Sequence, residues 1–357
     1  MKPPVISVVM ATYNHASYVA QAIASVLKQS DVHFEFLIAD DGSTDATSSV
    51  VESINDPRIS FFPHRINRGA CIVTNELIER AQGEFIALIN SDDCWDDEDK
   101  LSFQLNILRE NPGVAASFGR ARFVDNRGEG INKKRLSFGR VFDQENRTQG
   151  EWLRHFFFNG NCLCHPTVLI RRKCYEELGA YSNSLRQLPD FEMWIRLVKR
   201  YPIHVSEREL ISFRVLPGAS ASSHTVSNAV RTMNEHYLIA DTFFQYVNQQ
   251  QLKDGFAQWL RYPEIPSDIH LDIEKALLFF VPSKALGKAY RMIGILQLSR
   301  LLGSAKHRQV LEEEYGIDGR WFQAQTGNID ILRPKIVAII GKKTIVWRNV
   351  LKRLFRT

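Results

Sequence analysis

Apolar positions in the first hundred residues fall into short unbroken runs separated by polar turns and amphipathic stretches. Residues 5–11 (VISVVMA), 34–39 (FEFLIA), 59–62 (ISFF) and 85–89 (FIALI) are runs of strand length, rich in β-branched and aromatic side chains. Runs without alternation suit strands covered on both faces. Between them the spacing turns helical. Val19, Ile23, Val26 and Leu27 share one face of a helix through about Gln29, for which Ser17 is the expected cap. A second helix is expected to open near Thr44 and Asp45, and a third runs from Ala70 through Arg80. Strand and helix alternate four times, which predicts an α/β fold, a doubly wound, mostly parallel, Rossmann-like sheet.

Three of these runs end in polar clusters: Thr12-Tyr13-Asn14, Asp40-Asp41-Gly42 and Ser91-Asp92-Asp93. A parallel sheet places all three on one edge, where open α/β sheets bind ligands. Such an edge can hold a nucleotide, and two adjacent carboxylates there could fix a divalent cation that receives a diphosphate. The plain alternative is a solvated acidic turn, since Asp96, Asp97, Glu98 and Asp99 follow. No GxGxxG follows the first run, and GKKT at 341–344 lacks the upstream glycine of a P-loop. Both absences argue against a dinucleotide oxidoreductase or a P-loop NTPase.

Further along, Leu101, Leu105 and Leu108 mark a helix over about 99–111, and 115–124 reads as another strand. Residues 125–150 are charged and glycine-containing and predict a mobile loop over the site, against an ordinary surface excursion. A helix is expected over 152–158, a strand over 167–170, and a helix over 173–178 that ends at Gly179. In RQLPDFEMWIRLVKR (186–200), Pro189 suits a first helical turn. Asp190 then sits at the positively polarised N-terminus, with Phe191, Trp194, Ile195 and Val198 inward. Glu192 would point about 200° away from Asp190 on that helix.

The segments VISVVMATYNHASYVAQAIASVLKQS, FEFLIADDGSTDAT, NRGACIVTNELIERAQGEFIALINSDD and HPTVLIRRKCYEELGAYSNSLRQLPDFEMWIRL stand in that order. Together they resemble the family 2 inverting glycosyltransferases with a GT-A fold, over roughly residues 4–220. The resemblance implies a nucleotide-sugar donor, most often UDP-linked, a divalent metal (Mn²⁺ or Mg²⁺), a saccharide or lipid-linked acceptor, and transfer with inversion. Carried over position by position, Asp41 would contact the base with Thr12 and Tyr13 beside it. Asp92 would lie by the ribose, Asp93 would ligate the metal, and Asp190 would be the catalytic base. Two positions depart from the family pattern. Asn90 stands where many relatives have an aspartate, offering a carbonyl oxygen but no charge, and Pro189 replaces the first residue of the Glu-Asp pair.

His224, after FRVLPGASASS, falls where the family has a flexible segment that closes over the donor, so it is a further candidate for the diphosphate or metal, against a loop histidine without a role. His165, beside Pro166, reads as a structural loop residue. Two rival classes stand against the enzyme reading. A catalytically silent sugar-nucleotide or polysaccharide-binding protein is countered by the presence of both Asp93 and Asp190. A nucleotidyltransferase would want a basic, glycine-rich loop where this chain has ATYNHASY.

At 357 residues the chain exceeds one ordinary domain. The expected division is a catalytic domain over 1–225, with a nucleotide-sugar half (1–98) and an acceptor half (99–225). A helical extension (226–330) and a basic tail (331–357) follow. Five scattered cysteines and an N-terminus without an apolar signal core point to a reducing cytoplasm. Cys162 and Cys164 lack the second pair that a zinc site needs. The net charge of +5 is a property of the tail, since residues 331–357 hold eight Lys or Arg and no acid, leaving −3 for the rest. In that tail Val346, Val350, Leu351, Leu354 and Phe355 recur at helical spacing with Trp347 beside them. This predicts a basic amphipathic helix that contacts an anionic membrane from the cytoplasmic side, rather than nucleic acid. The plain alternative is a stripe that packs on the extension.

Overall fold

The computed structural model describes residues 3–216, 225–282 and 287–329. His224 and the 331–357 tail lie outside them. The chain divides into two compact units, Met1–Phe256 and Ala257–Thr357.

The first unit carries a seven-stranded sheet in the order β3-β2-β1-β4-β6-β5-β7. Its first half is built as the runs predict: β1 (Ile6–Thr12), α1 (Val19–Leu27), β2 (Phe34–Asp40), α2 (Thr47–Glu52), β3 (Ile59–Pro63), α3 (Ala70–Arg80) and β4 (Phe85–Leu88). β1 pairs in parallel with both β2 and β4, Thr12 opposite Asp40 and Val9 opposite Leu88. The three polar clusters therefore emerge from adjacent strands on one edge. Ile6, Val8 and Met10 alternate with Ser7 and Val9, and the first set packs against Val19, Ile23 and Val26 of α1 in the main core. Both sets are buried, which is why the run reads as unbroken.

The second half continues through α4 (Lys100–Glu110), β5 (Ala116–Val124), α5 (Gln149–Asn159), β6 (Leu169–Arg171), α6 (Arg172–Leu178), α7 (Pro189–Arg200) and β7 (Ile203–Arg214). β6 runs antiparallel to both β4 and β5, so the sheet is mixed at this point, while β5 and β7 are parallel. Helices α8 (Val226–Asp241) and α9 (Gln249–Phe256) complete this unit, so residues 226–256, read from composition as the start of the extension, are grouped with the sheet. The second unit contains α10 (Asp268–Leu278), α11 (Gly287–Leu302), α12 (Ala305–Glu313) and α13 (Gly319–Asn328). They close on a core of Ile273, Leu298, Leu311 and Tyr315.

Three local expectations are corrected. Ser17 does not cap α1; it is exposed, and the amides of Tyr18 and Val19 both bond to the His15 carbonyl instead. α5 starts three residues early because Thr148 and Glu151 form a reciprocal capping box, a Thr-x-x-Glu pattern present in the sequence. The twelve-residue strand β7 was not expected at all. Its centre, Ser206-Glu207-Arg208-Glu209, interrupts the apolar pattern, and the register against β5 shifts at that place, so the charged residues ride on an irregularity. Residues 125–148 fold back on the same strands, with Phe138 and Phe142 against Phe123 and Phe142 against Phe213.

Candidate active site

The nucleotide edge is assembled by short-range chemistry between neighbouring strand ends. The Asp41 amide donates to the Thr12 carbonyl at 2.8 Å, joining the first two clusters. Asp41 is buried, and its carboxylate accepts from the amides of Arg68 and Gly69 at 2.6 and 2.9 Å. It thereby ties the loop before α3 to the end of β2. Gly42 makes that approach possible. At φ +73° it adopts a conformation that L side chains rarely take, and a Cβ there would lie 2.6 Å from the Ile66 carbonyl carbon. The third cluster is drawn in by His15, whose Nδ1 lies 2.7 Å from the Ser91 hydroxyl. Thr12 is buried, and its hydroxyl has no hydrogen-bond partner among the described residues. A buried orphan hydroxyl is unusual, and here it lies at the strand end where a ligand would complete it. Tyr13 beside it is 43% exposed.

Asp92 is half-buried and Asp93 is 1% exposed. Burial pushes both carboxyls up, Asp93 well above the usual range because Asp92 lies beside it. Asp93 is held by two donors: the Arg214 amide at 2.8 Å and the Asn90 side-chain amide at 2.9 Å. Asn90 thus donates to Asp93, which an ionised aspartate at that position could not do. Arg214, at the end of β7, also sends its guanidinium to the Asp92 carbonyl (2.8 Å), the Asp125 carbonyl (2.9 Å) and Gln21 (2.8 Å). Its charge holds both carboxyls down against the effect of burial. Arg214 and His15 went unnoticed in the sequence, Arg214 because its strand was missed and His15 because a lone histidine carries no signal.

Two adjacent carboxylates pushed toward their protonated forms suit a divalent cation, whose charge would favour their ionised forms. Among the described residues no cluster of three or more His, Cys, Asp or Glu side chains forms a ready cage. That donor set fits a Mg²⁺- or Mn²⁺-type ion, which commonly uses one or two carboxylates and takes its remaining oxygens from substrate phosphates and water.

Asp190 lies in the first turn of α7 behind Pro189, as expected. Its carboxylate accepts from the side-chain amide of Asn161 at 2.7 Å and from the Phe191 amide at 2.8 Å. Burial outweighs these bonds and lifts its pKa to about 6. Glu192 is engaged elsewhere, in an ion pair with Arg196 at 2.7 Å. A cavity of about 130 Å³ lies beside both parts of the site, lined by Asn90 and Pro189 but by neither Asp93 nor Asp190. Asn90 and Ile89 line it at the strand end, Cys71 and Thr74 on α3, and Tyr181 and Pro189 at the entry to α7. His165, which also lines it, is buried with Nε2 3.2 Å from the Tyr181 hydroxyl, consistent with a structural role.

A mixed sheet whose parallel half presents carboxylates on one edge, with a further acid on a helix N-terminus, is the GT-A class of glycosyltransferase fold. The description Glycosyl transferase family 2 matches residues 7–179. Over 232 residues the chain is 31% identical to TuaG of Bacillus subtilis (strain 168), a glycosyltransferase assigned to teichuronic acid biosynthesis, covering 64% of this chain and 86% of TuaG. It is 28% identical over 243 residues to an uncharacterized glycosyltransferase of Rickettsia felis, covering 67% of this chain but only 38% of that longer one. The crystal structure of S. aureus TarS 1-349 in complex with UDP-GlcNAc superposes with a TM-score of 0.52 at 19% identity, over 87% of this chain and 91% of TarS. The chain belongs to glycosyltransferase family 2 and is a transferase.

The raised pKa of Asp190 has a consequence for stability. Between the unperturbed value of 3.8 and about 6, the native chain holds a proton that the unfolded chain has lost, so this group's contribution to stability falls as pH rises through that window. Asp190→Asn removes the effect. Its melting temperature is expected to gain on that of the wild type as pH is raised from 4 to 7; a difference that stays constant across that range contradicts the assignment.

Proposed function

We propose that this transferase moves a sugar from a UDP-linked donor to a hydroxyl of a saccharide or lipid-linked saccharide, with inversion, in the assembly of a surface polysaccharide or glycolipid. The observation that carries the reading is Asp190, a half-buried carboxylate with a pKa of about 6 that directly follows Pro189, one of the residues lining the same cavity as Asn90, the hydrogen-bond partner of Asp93. Inversion needs a base on the face opposite the leaving group, with a pKa close to the working pH.

In the proposed reaction Asp190 takes the proton of the acceptor hydroxyl as that oxygen bonds to the anomeric carbon. The bond from that carbon to the donor diphosphate breaks in the same displacement, and its electron pair leaves on the diphosphate oxygen. Asn161 and the Phe191 amide hold the Asp190 carboxylate in one orientation. Thr12, Tyr13 and Asp41 are assigned to the nucleoside and Asp92 to the ribose. Asp93, steadied by Asn90 and the Arg214 amide, is assigned to Mn²⁺ or Mg²⁺. That ion, when bound, supplies positive charge against the charge developing on the leaving diphosphate.

A donor screen with the full chain tests this, measuring nucleoside diphosphate release with and without Mn²⁺ and starting from UDP-GlcNAc, the donor in the TarS complex. Release of UDP that depends on metal and acceptor is expected, with kcat/KM falling below about pH 6 as Asp190 takes up its proton. Asp93→Ala should lose metal-dependent donor binding. Asp190→Asn should bind donor and lose turnover by a factor of about 100 or more. Release of a nucleoside monophosphate, or an Asp190→Asn variant that keeps most of its turnover, overturns the reading.

A peripheral position on the cytoplasmic face of a membrane is part of the same proposal, and it rests on the sequence of the tail. No helix among the described residues is long and apolar enough to cross a membrane. Flotation with anionic liposomes should carry up the full chain in a salt-sensitive way and leave behind a chain ending at Asp330; equal flotation of both rejects it.

A further inference from the structure

Glu235, in the middle of α8, is a carboxylate buried to 4% exposure that forms no ion pair among the described residues. Its partners are backbone amides: Arg186 donates to Oε1 at 2.9 Å, and Gln187 and Leu188 donate to Oε2, each at 2.8 Å. Three convergent N–H donors satisfy both oxygens of this buried carboxyl group. They also explain why the residue is an acid. A glutamine would turn an NH₂ group toward donors and leave at least one of the three amides without an acceptor.

These three residues directly precede Pro189, which has no N–H, and Asp190 follows. Glu235 therefore takes up every amide available in the run that enters α7, and the proline ring fixes the next φ. The contact holds the backbone that leads into α7 and to Asp190. The next residue of α8 strengthens the contact: the His236 ring lies edge-on to Phe191, centroids 5.5 Å apart. From the other side α3 holds the same loop. Asn75 bonds to the backbone of Tyr181 in both directions, at 2.8 and 3.0 Å, and the Cys71 thiol reaches the Leu185 carbonyl at 3.5 Å.

We propose that Glu235 is a positioning residue for the transfer, acting through the 186–188 amides to place Asp190 against the acceptor hydroxyl. This rests on Asp190 as the base. It lies outside the 7–179 span that defines the family, on a helix that contributes nothing else to the site described above. Small misplacements of a catalytic group cost rate rather than binding.

The test is a double-mutant cycle on the full chain, with UDP affinity measured by calorimetry in Mn²⁺ and turnover measured on the donor found in the screen. Glu235→Gln should lower kcat by a factor of about 10 or more while UDP affinity stays within about twofold. In an Asp190→Asn background the same substitution should change the residual rate by less than about twofold, because there is no base left to misplace. If Glu235→Gln does not fold, Glu235→Asp, which keeps the charge but retracts it by one methylene, is read in the same way. Wild-type kcat, an equal loss in both backgrounds, or a parallel loss of UDP affinity each overturns the positioning role. Failure of the base assignment itself is distinguishable, because it appears in Asp190→Asn alone as retained turnover.

Discussion

Two carboxylates side by side at the end of a central strand, one buried and one half-buried, are a liability unless the fold is arranged around them, and here it is. Asp93 sits almost wholly out of water next to Asp92, where neither can ionise freely. The compensation comes from far along the chain. β7 closes the sheet 120 residues later and delivers both the Arg214 amide to Asp93 and the Arg214 guanidinium to the Asp92 carbonyl. The Cys94–Ser212 bridge, with amide-to-carbonyl bonds of 3.1 and 2.8 Å in the two directions, fixes the turn after the pair to the same strand. The acidic edge and the last strand are thus one structural unit.

The rest of the site extends this logic to a second carboxylate. Asp190 is lifted too, because burial exceeds what Asn161 and the Phe191 amide return. Burial thus raises both acids, Asp93 well above the usual carboxylate range and Asp190 to about 6. Around them, α3 and α8 clamp the segment that carries Asp190, so this carboxylate stands on a braced helix end.

Much of this was legible in the sequence, for physical reasons. β1, β2 and β4 are buried on both faces, so their runs are unmistakable, and parallel pairing then places Thr12, Asp41 and Asp92 together without further information. Pro189 marks the start of α7 because its missing N–H costs nothing there. What stayed hidden depends on contacts across long separations or on irregularities. β7 carries charges through its centre at a register shift, so periodicity fails where Arg214 is concealed. The Glu235 interaction joins residues 47 to 49 apart through backbone amides, which leave no trace in side-chain pattern. Asn90 read as a loss of charge, whereas its amide donates to Asp93.

The central claim is a single displacement in which Asp190 deprotonates the acceptor on the face opposite the leaving diphosphate. The anomeric configuration of the new glycosidic linkage, read by ¹H NMR, tests it most directly. An α-linked nucleotide sugar should give a β-linked product. An α-linked product would require two displacements or a front-face path, and would contradict the account.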